Sequence, residues 1–385
     1  MKRETVRFGI IGLGLMGKEF CSSIARWCNI LSDSKIPVIK GICDKNVELW
    51  DWYLQNFPDI QIKSTDYKDL LHSDEIDAIY CAVPHNLHEE IYISVVNAGK
   101  HLLGEKPFGI DNRANSNILG AINANPDVIV RCSSEFPYFP ACQKLIKWIK
   151  AGNYGKIFEV KVGFHHSSDM DPEKPINWKR MVELNGEYGC MGDLGMHTLH
   201  IPFRMNWKPI SVYADLQNIV NTRRDCNGNM VPCLTWDNAI LNCKCVDNSV
   251  GNEFSMIVET KRMAPGATNT WFIEVYGTKG SVAFSTRDPK AFRYITYEGK
   301  EQGWSRIDTG SQSAIESITG SIFEFGFSDA FQQMVGVFLE ELSGKCHEQL
   351  FKNVYPAETR WSHELFTAAL ESHRTGRKVK LNEIL

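Results

Sequence analysis

A largely apolar run over positions 6–11 gives way to Gly12, Gly14 and Gly17. Such a run followed by spaced glycines reads as a strand buried on both faces, a tight turn and a helix start. The alternation repeats through the first third of the chain. Residues 37–43 predict a second strand closed by Asp44, and residues 47–57 an aromatic-rich helix. Residues 76–83 predict a strongly apolar strand, 88–98 a helix stopped by Gly99, 100–104 a further strand, and 128–132 the last. Strand and helix in turn imply right-handed β-α-β units and a parallel sheet.

Beyond position 132 the pattern changes. A helical stretch over 140–151 ends at Gly152, and alternating runs then occupy 157–164, 210–216, 239–246, 254–260, 270–276 and 281–284. Consecutive strands without intervening helices predict an antiparallel sheet in an α+β domain. Gly277-Thr278-Lys279-Gly280 reads as a hairpin turn between two of them. Residues 221–232 and 309–326 are polar or rich in Ser and Gly, and read as rim loops. At 385 residues the chain exceeds what one hydrophobic core usually serves. The expected division is an α/β domain over 1–132 and an α+β domain with a large, mainly antiparallel open sheet over 133–385.

Charge and composition remove several function classes. The formal net charge of −4 gives no reason to expect nucleic acid or an anionic membrane as partner. No apolar run approaches the roughly 18–20 residues of a membrane span, and the glycine motif starts too early to leave room for a cleaved leader. A cytoplasmic location is expected. The twelve cysteines are scattered without a C-x-x-C pair, which reads as reduced core thiols.

The opening motif carries the first chemistry. Gly12 permits the tight turn, Gly14 lets backbone approach a pyrophosphate, and Gly17 lets the new helix pack close to the strand. Leu15 and Met16 lie in the same turn, at a helix N-terminus whose N–H groups suit phosphates. Asp44, after the second strand, suits the ribose diol and would repel a 2′-phosphate, which favours NAD over NADP; Lys45 partly offsets that repulsion. The interval from the glycines to Asp44 is lengthened by a polar loop over 29–35.

Three further clusters lie where ligands collect in open parallel sheets or on a helix face. Pro84-His85-Asn86-Leu87-His88 and Glu105-Lys106-Pro107 each follow a predicted strand directly. The first also reads as an ordinary helix start with solvated histidines, and the second as surface charge. In the third, Asp193, His197 and His200 recur at four and three residues, one face of a helix. A carboxylate beside an imidazole makes a general base, but the same three residues also suit a metal site or a capped helix with two core histidines.

The glycine motif, the 84–88 loop, Glu105-Lys106-Pro107 and the Asp193/Gly195/His197 helix occur in the order and spacing of the glucose–fructose oxidoreductase, inositol dehydrogenase and rhizopine-catabolism (Gfo/Idh/MocA) family, which the chain resembles over nearly its whole length. The resemblance implies a Rossmann domain, an α+β domain whose open sheet often forms an oligomer interface, and a homo-oligomer, dimer or tetramer. It also implies oxidation of a secondary hydroxyl of a sugar or cyclitol by NAD or NADP without a metal. In that reading Lys106 and His197 flank the reacting carbon, Asp193 supports His197, and Pro84, Asn86, His88 and Glu105 belong with Lys106 to the cofactor side. Family members often carry an aspartate where this chain has His200, which bears on the substrate more than on the reaction.

Further candidates for hydroxyl recognition are Glu135, Tyr138, His165, His166, Trp178, Lys179, Arg180 and Trp271. No arginine lies in the 84–88, 105–107 or 193–200 clusters to clamp a carboxylate, so a polyhydroxylated ring is expected rather than a hydroxy acid. Two rivals remain: a glycoside-cleaving enzyme that oxidises its sugar transiently on tightly held NAD, and a non-catalytic dinucleotide sensor.

Overall fold

The computed structural model describes residues 4–31, 35–310, 312–318, 320–345 and 351–384. Positions 32–34 of the expected 29–35 loop, positions 311 and 319 of the 309–326 segment, and Cys346 lie outside the described residues. The chain forms two compact units. One comprises residues 1–109, 113–140 and 311–356, the other 110–112, 141–310 and 357–385.

In the first unit, β1 (Thr5–Ile11), β2 (Ile36–Cys43), β3 (Ile62–Ser64), β4 (Ala78–Cys81), β5 (His101–Gly104) and β6 (Val130–Cys132) alternate with α1 (Leu15–Ala25), α2 (Trp50–Asn56), α3 (Lys68–Leu71), α4 (His88–Asn97) and α5 (Asn112–Ala124). The sheet order is β3-β2-β1-β4-β5-β6, with every pairing parallel. All four residues of β4 are buried, as a strand covered by helices on both faces requires. The chain reverses direction across the sheet between β1 and β4. In doubly wound sheets that switch point opens the ligand crevice at the strand carboxyl ends.

Residues 311–356 return to complete this unit, although the pattern of hydrophobic positions groups all of 133–385 together. The helix Phe327–Leu342 buries Phe331, Met334, Val335, Phe338 and Leu339. Phe338 meets Phe8, and Phe331 meets Tyr80 edge-on. Gln332 Nε2 donates to the Ser23 and Arg26 carbonyls at the end of α1, and the Cys132 N–H of β6 donates to Val354 O at 3.0 Å.

The second unit holds a nine-stranded sheet. Its strands are β7 (Ile157–His165), β8 (Trp207–Gln217), β11 (Asn238–Asp247), β12 (Asn252–Lys261), β13 (Thr270–Gly277), β14 (Gly280–Ser285), β15 (Ala291–Thr296), β16 (Ser305–Asp308) and β17 (Val379–Lys380). A separate ribbon pairs β9 (Thr222–Arg224) with β10 (Met230–Pro232). The large sheet runs β16-β15-β14-β13-β7-β12-β11-β8-β17 and is antiparallel apart from the parallel pair β7–β12. The turn after Gly277 joins β13 to β14 as its glycines predict. The helix Met196–Arg204 lies on β7, β8 and β13.

Candidate active site

At the switch point the backbone is built around missing side chains. Gly12 has φ of 91°, and a Cβ there would stand 2.4 Å from the Ala82 carbonyl oxygen, so only glycine makes this turn. Around Gly14, by contrast, no atom lies within 4 Å of where a Cβ would be. A Cβ on Gly17 would stand 2.4 Å from Gly12 O and 2.8 Å from the Tyr53 hydroxyl; its absence lets α1 pack against the turn. No side chain caps the N-terminus of α1, and its first turn carries no acid. Open space at Gly14 and uncapped N–H groups together suit a diphosphate. Leu15 is 74% exposed beside it, and Met16 is half-buried.

Asp44 follows β2 and ties that strand to the turn. Its Oδ2 accepts from Leu13 N–H and its Oδ1 from Asn46 N–H, both at 2.8 Å. Each oxygen keeps capacity for a further donor. Lys45 is exposed.

Beyond β4, Pro84 and Asn86 are half-buried. The Asn86 Oδ1 is enclosed yet accepts no hydrogen bond from the described residues, a state that buried polar atoms rarely keep. His88 is fully buried instead. Its Nε2 is 3.1 Å from Val83 O, Gly109 N–H donates to its Nδ1, and its ring stacks on Tyr92 at 4.6 Å. It therefore braces the loop. Beyond β5, Glu105 is buried: Tyr80 donates to its Oε1 at 2.7 Å, and Tyr92 to its carbonyl at 2.7 Å. Lys106 is half-buried, and its bond to Pro107 is cis. On the neighbouring strand end, burial and then the charge of Glu105 raise the Glu135 carboxyl to about 8, with Lys106 opposing. Tyr138 is fully buried and donates to Asn353 Oδ1 at 2.7 Å. The glycine cradle and the unpartnered Asn86 oxygen fit a dinucleotide.

In the second unit the chain widens into a π-helical turn, Met191–Gly195, and continues as the helix Met196–Arg204. Gly195 is needed where the helix meets Phe366, whose Cζ would lie 2.6 Å from a Cβ. His197 is 5% exposed; Trp271 Nε1 donates to its carbonyl at 2.9 Å and Phe164 presents its ring at right angles 5.6 Å away. Trp271 is itself fully buried.

Asp193 is held from two sides. Lys179 Nζ donates to its Oδ2 at 3.0 Å, while Arg262 reaches the same oxygen through Nε at 3.3 Å and Nη2 at 3.2 Å. His200, by contrast, joins Arg204 at 3.2 Å and Glu358 at 3.5 Å, and burial, then Arg204 and His197, hold its imidazole well below the usual range. The described contacts of Asp193 thus run to Lys179 and Arg262, and those of His200 to Arg204 and Glu358. The wider π turn between Asp193 and the helix alters the spacing that an unbroken α-helix would give. Among the described residues no group of three His, Cys, Asp or Glu side chains is arranged to hold a metal ion.

The remaining candidates sit around this helix and its sheet. His165, at the end of β7, pairs with Glu259 at 3.2 Å and draws that carboxyl down to about 2. His166 packs on Phe164. Trp178 is half-buried, and Arg180 is fully buried between Asp237 and Asp169. Sequence reasoning missed Arg262 and Glu358. Each is an ordinary charged residue, at a strand end or in a helix, with no local signal of its distant partner.

Two family models cover most of the chain. Residues 6–131 match an oxidoreductase family with an NAD-binding Rossmann fold, and residues 142–283 match the GFO/IDH/MocA C-terminal domain. Levoglucosan dehydrogenase of Pseudarthrobacter phenanthrenivorans is 24% identical over 323 residues, spanning 80% of this chain and 81% of that protein. Inositol 2-dehydrogenase of Salmonella typhimurium is 22% identical over 223 residues, 57% of this chain and 62% of that protein. In three dimensions, levoglucosan dehydrogenase in complex with NADH superposes with a TM-score of 0.86 at 21% identity, over 98% of this chain and 99% of that one. That likeness establishes the shared fold. With the NAD-binding Rossmann unit and the C-terminal unit both matched, the chain belongs to the Gfo/Idh/MocA family of NAD(P)-dependent oxidoreductases.

Proposed function

We propose that the chain is an NAD-dependent dehydrogenase that oxidises a secondary hydroxyl on a sugar, glycoside or cyclitol ring. The carrying observation is the buried imidazole of His197, one helical turn beyond an Asp193 fixed by two cations, in a chain whose other unit holds a dinucleotide cradle. NAD, when bound, supplies the hydride acceptor. The chain's own residues supply position and proton handling. His197 takes the hydroxyl proton, and the Lys106 ammonium stabilises negative charge as it develops on that oxygen. Gly12, Gly14 and Gly17 admit the pyrophosphate, Asp44 takes the ribose hydroxyls, and Asn86 Oδ1 offers an acceptor on the cofactor side. Asp44 favours NAD over NADP by repelling a 2′-phosphate.

The names of the relatives support a polyhydroxylated ring as substrate, with levoglucosan and inositols as the first compounds to try. His200 and Trp178 are placed as substrate-side residues in this reading, and the assembly as a homo-oligomer. The test is a screen for NADH formation across anhydrosugars, pyranoses, glycosides and inositols, with simple 2-hydroxy acids included. Turnover of a ring polyol is expected. Far higher kcat/KM on a hydroxy acid would overturn the substrate class, and loss of an aglycone without net NADH would move the reading to transient oxidation.

A further inference from the structure

Asp193 is 2% exposed, and a carboxylate so enclosed is tolerated only with partners. Among the described contacts two cations reach it, and they come from distant parts of the chain. Lys179 sits in the short turn Trp178–Arg180, and Arg262 immediately follows β12. Their three contacts converge on the single oxygen Oδ2, at 3.0, 3.2 and 3.3 Å. The two cations are also tied to each other: Arg262 Nη1 donates to the Lys179 carbonyl at 3.0 Å, and Thr235 Oγ1 donates to the same carbonyl at 2.8 Å. Neighbouring Arg180, locked to Asp169 and Asp237, anchors the turn from the other side. Arg262 is almost wholly buried, whereas the Lys179 side chain is 40% exposed.

A carboxylate that merely needed neutralising would be served by one cation. Two cations on one oxygen restrain the carboxylate and outweigh its charge. We propose that Lys179 and Arg262 are positioning residues for the reaction: they hold the Asp193 carboxylate and offset its negative charge, so that His197, four residues on along the same helical run, passes on the proton it receives instead of retaining it. This rests on His197 being the base. Lys179 is the adjustable member, since its ammonium reaches Asp193 from the half-exposed side. Arg262 is the fixed member.

The experiment uses the full-length protein with levoglucosan, or with myo-inositol where that turns over faster, under saturating NAD. Lys179→Met should lower kcat about tenfold while KM stays within about twofold, because the residue acts through Asp193 and not on the bound polyol. NADH affinity by fluorescence titration and the melting temperature should stay at wild-type values. Lys179→Arg, which keeps the charge and reaches the same oxygen, should restore most of kcat. Arg262→Gln, which removes the other cation, should show the same kcat-selective loss, and the Lys179 series stands if buried Arg262 variants fail to fold. An unchanged kcat in Lys179→Met would overturn the proposal, as would a loss that appears in KM or melting temperature to the same degree. His197→Ala, run alongside, separates the two readings. If it loses turnover while Lys179→Met does not, the cation pair falls and the base remains; if it keeps turnover, both fall.

Discussion

The glycine turn of the first unit and the Asp193–His197 helix of the second are built in opposite ways. Between positions 12 and 17 the cradle depends on side chains that are absent: three glycines, one making a left-handed turn, one leaving space and one allowing close packing. Around Asp193 everything depends on side chains that are present, brought from positions 179 and 262 to one oxygen. Backbone requirements are local, so a short motif can encode them. Charge networks are non-local, and each member looks ordinary in its own sequence neighbourhood.

The largest effects should come from the proton-handling residues. His197→Ala and Lys106→Ala should each lower kcat by about 10²-fold or more, the usual contribution of a general acid or base. NADH binding, followed by fluorescence, should change little. Asp193→Asn should cost less than either, since its carboxylate supports and does not itself carry the proton. Near-normal turnover in both alanine variants would remove the assigned chemistry from Lys106 and His197 alike.

Glycine substitutions probe the other side of the contrast. A Cβ at Gly14 would meet no protein atom within 4 Å, so Gly14→Val should leave the melting temperature nearly unchanged, yet weaken NADH binding by about tenfold or more, on the order of 1.4 kcal/mol. Gly17→Val drives a side chain into Gly12 O and Tyr53 and should lower both stability and affinity. Equal NADH affinity in wild type and Gly14→Val would show that the open space is not where the pyrophosphate sits.

A smaller effect is expected in cofactor choice. Asp44→Ala should narrow the ratio of kcat/KM for NAD over NADP by about tenfold, by losing the ribose acceptor and the repulsion of a 2′-phosphate together. Better use of NADP by the unaltered protein would assign the dominant role to Lys45.

The smallest concerns stability and pH. Folding raises the Glu135 carboxyl from its ordinary 4.5 to about 8, so the folded chain keeps a proton there that the unfolded chain gives up. That contribution is fully present below 4.5 and is lost as pH rises through 8. Glu135→Gln removes the dependence. Its melting temperature relative to wild type should therefore climb by a few degrees between those limits. A flat difference would mean that Glu135 is already ionised in the folded chain.

Much of this molecule could be read from residue order alone. Five of the six parallel-sheet strands announced themselves as short apolar runs, Ile62–Ser64 being the exception, and the hairpin at 277–280 as two glycines around a polar pair. Asp44 was legible because it closes the second apolar strand, although a polar loop over 29–35 lengthens its distance from the glycines. The parallel β7–β12 pair was not, because β7 is inserted between strands that follow it by about a hundred residues, and neither side of that pairing is marked in its own sequence. The helix Phe327–Leu342 was equally hidden as part of the first unit: its apolar face shows that it packs, not against what.

Sequence by itself determined the glycine turn, the alternation of strands and helices, the acid after β2 and the Asp-x-Gly-x-His helix, since each is a requirement on neighbouring residues or on a fixed period. Only the tertiary structure decided that Asp193 answers to Lys179 and Arg262, that His200 answers to Arg204 and Glu358, and that His88 braces a loop from a fully buried position. A buried charge must be met by whichever side chains folding brings within about 3–4 Å, and that distance is set by the packing of whole strands and helices, over which a residue's own neighbours have no say.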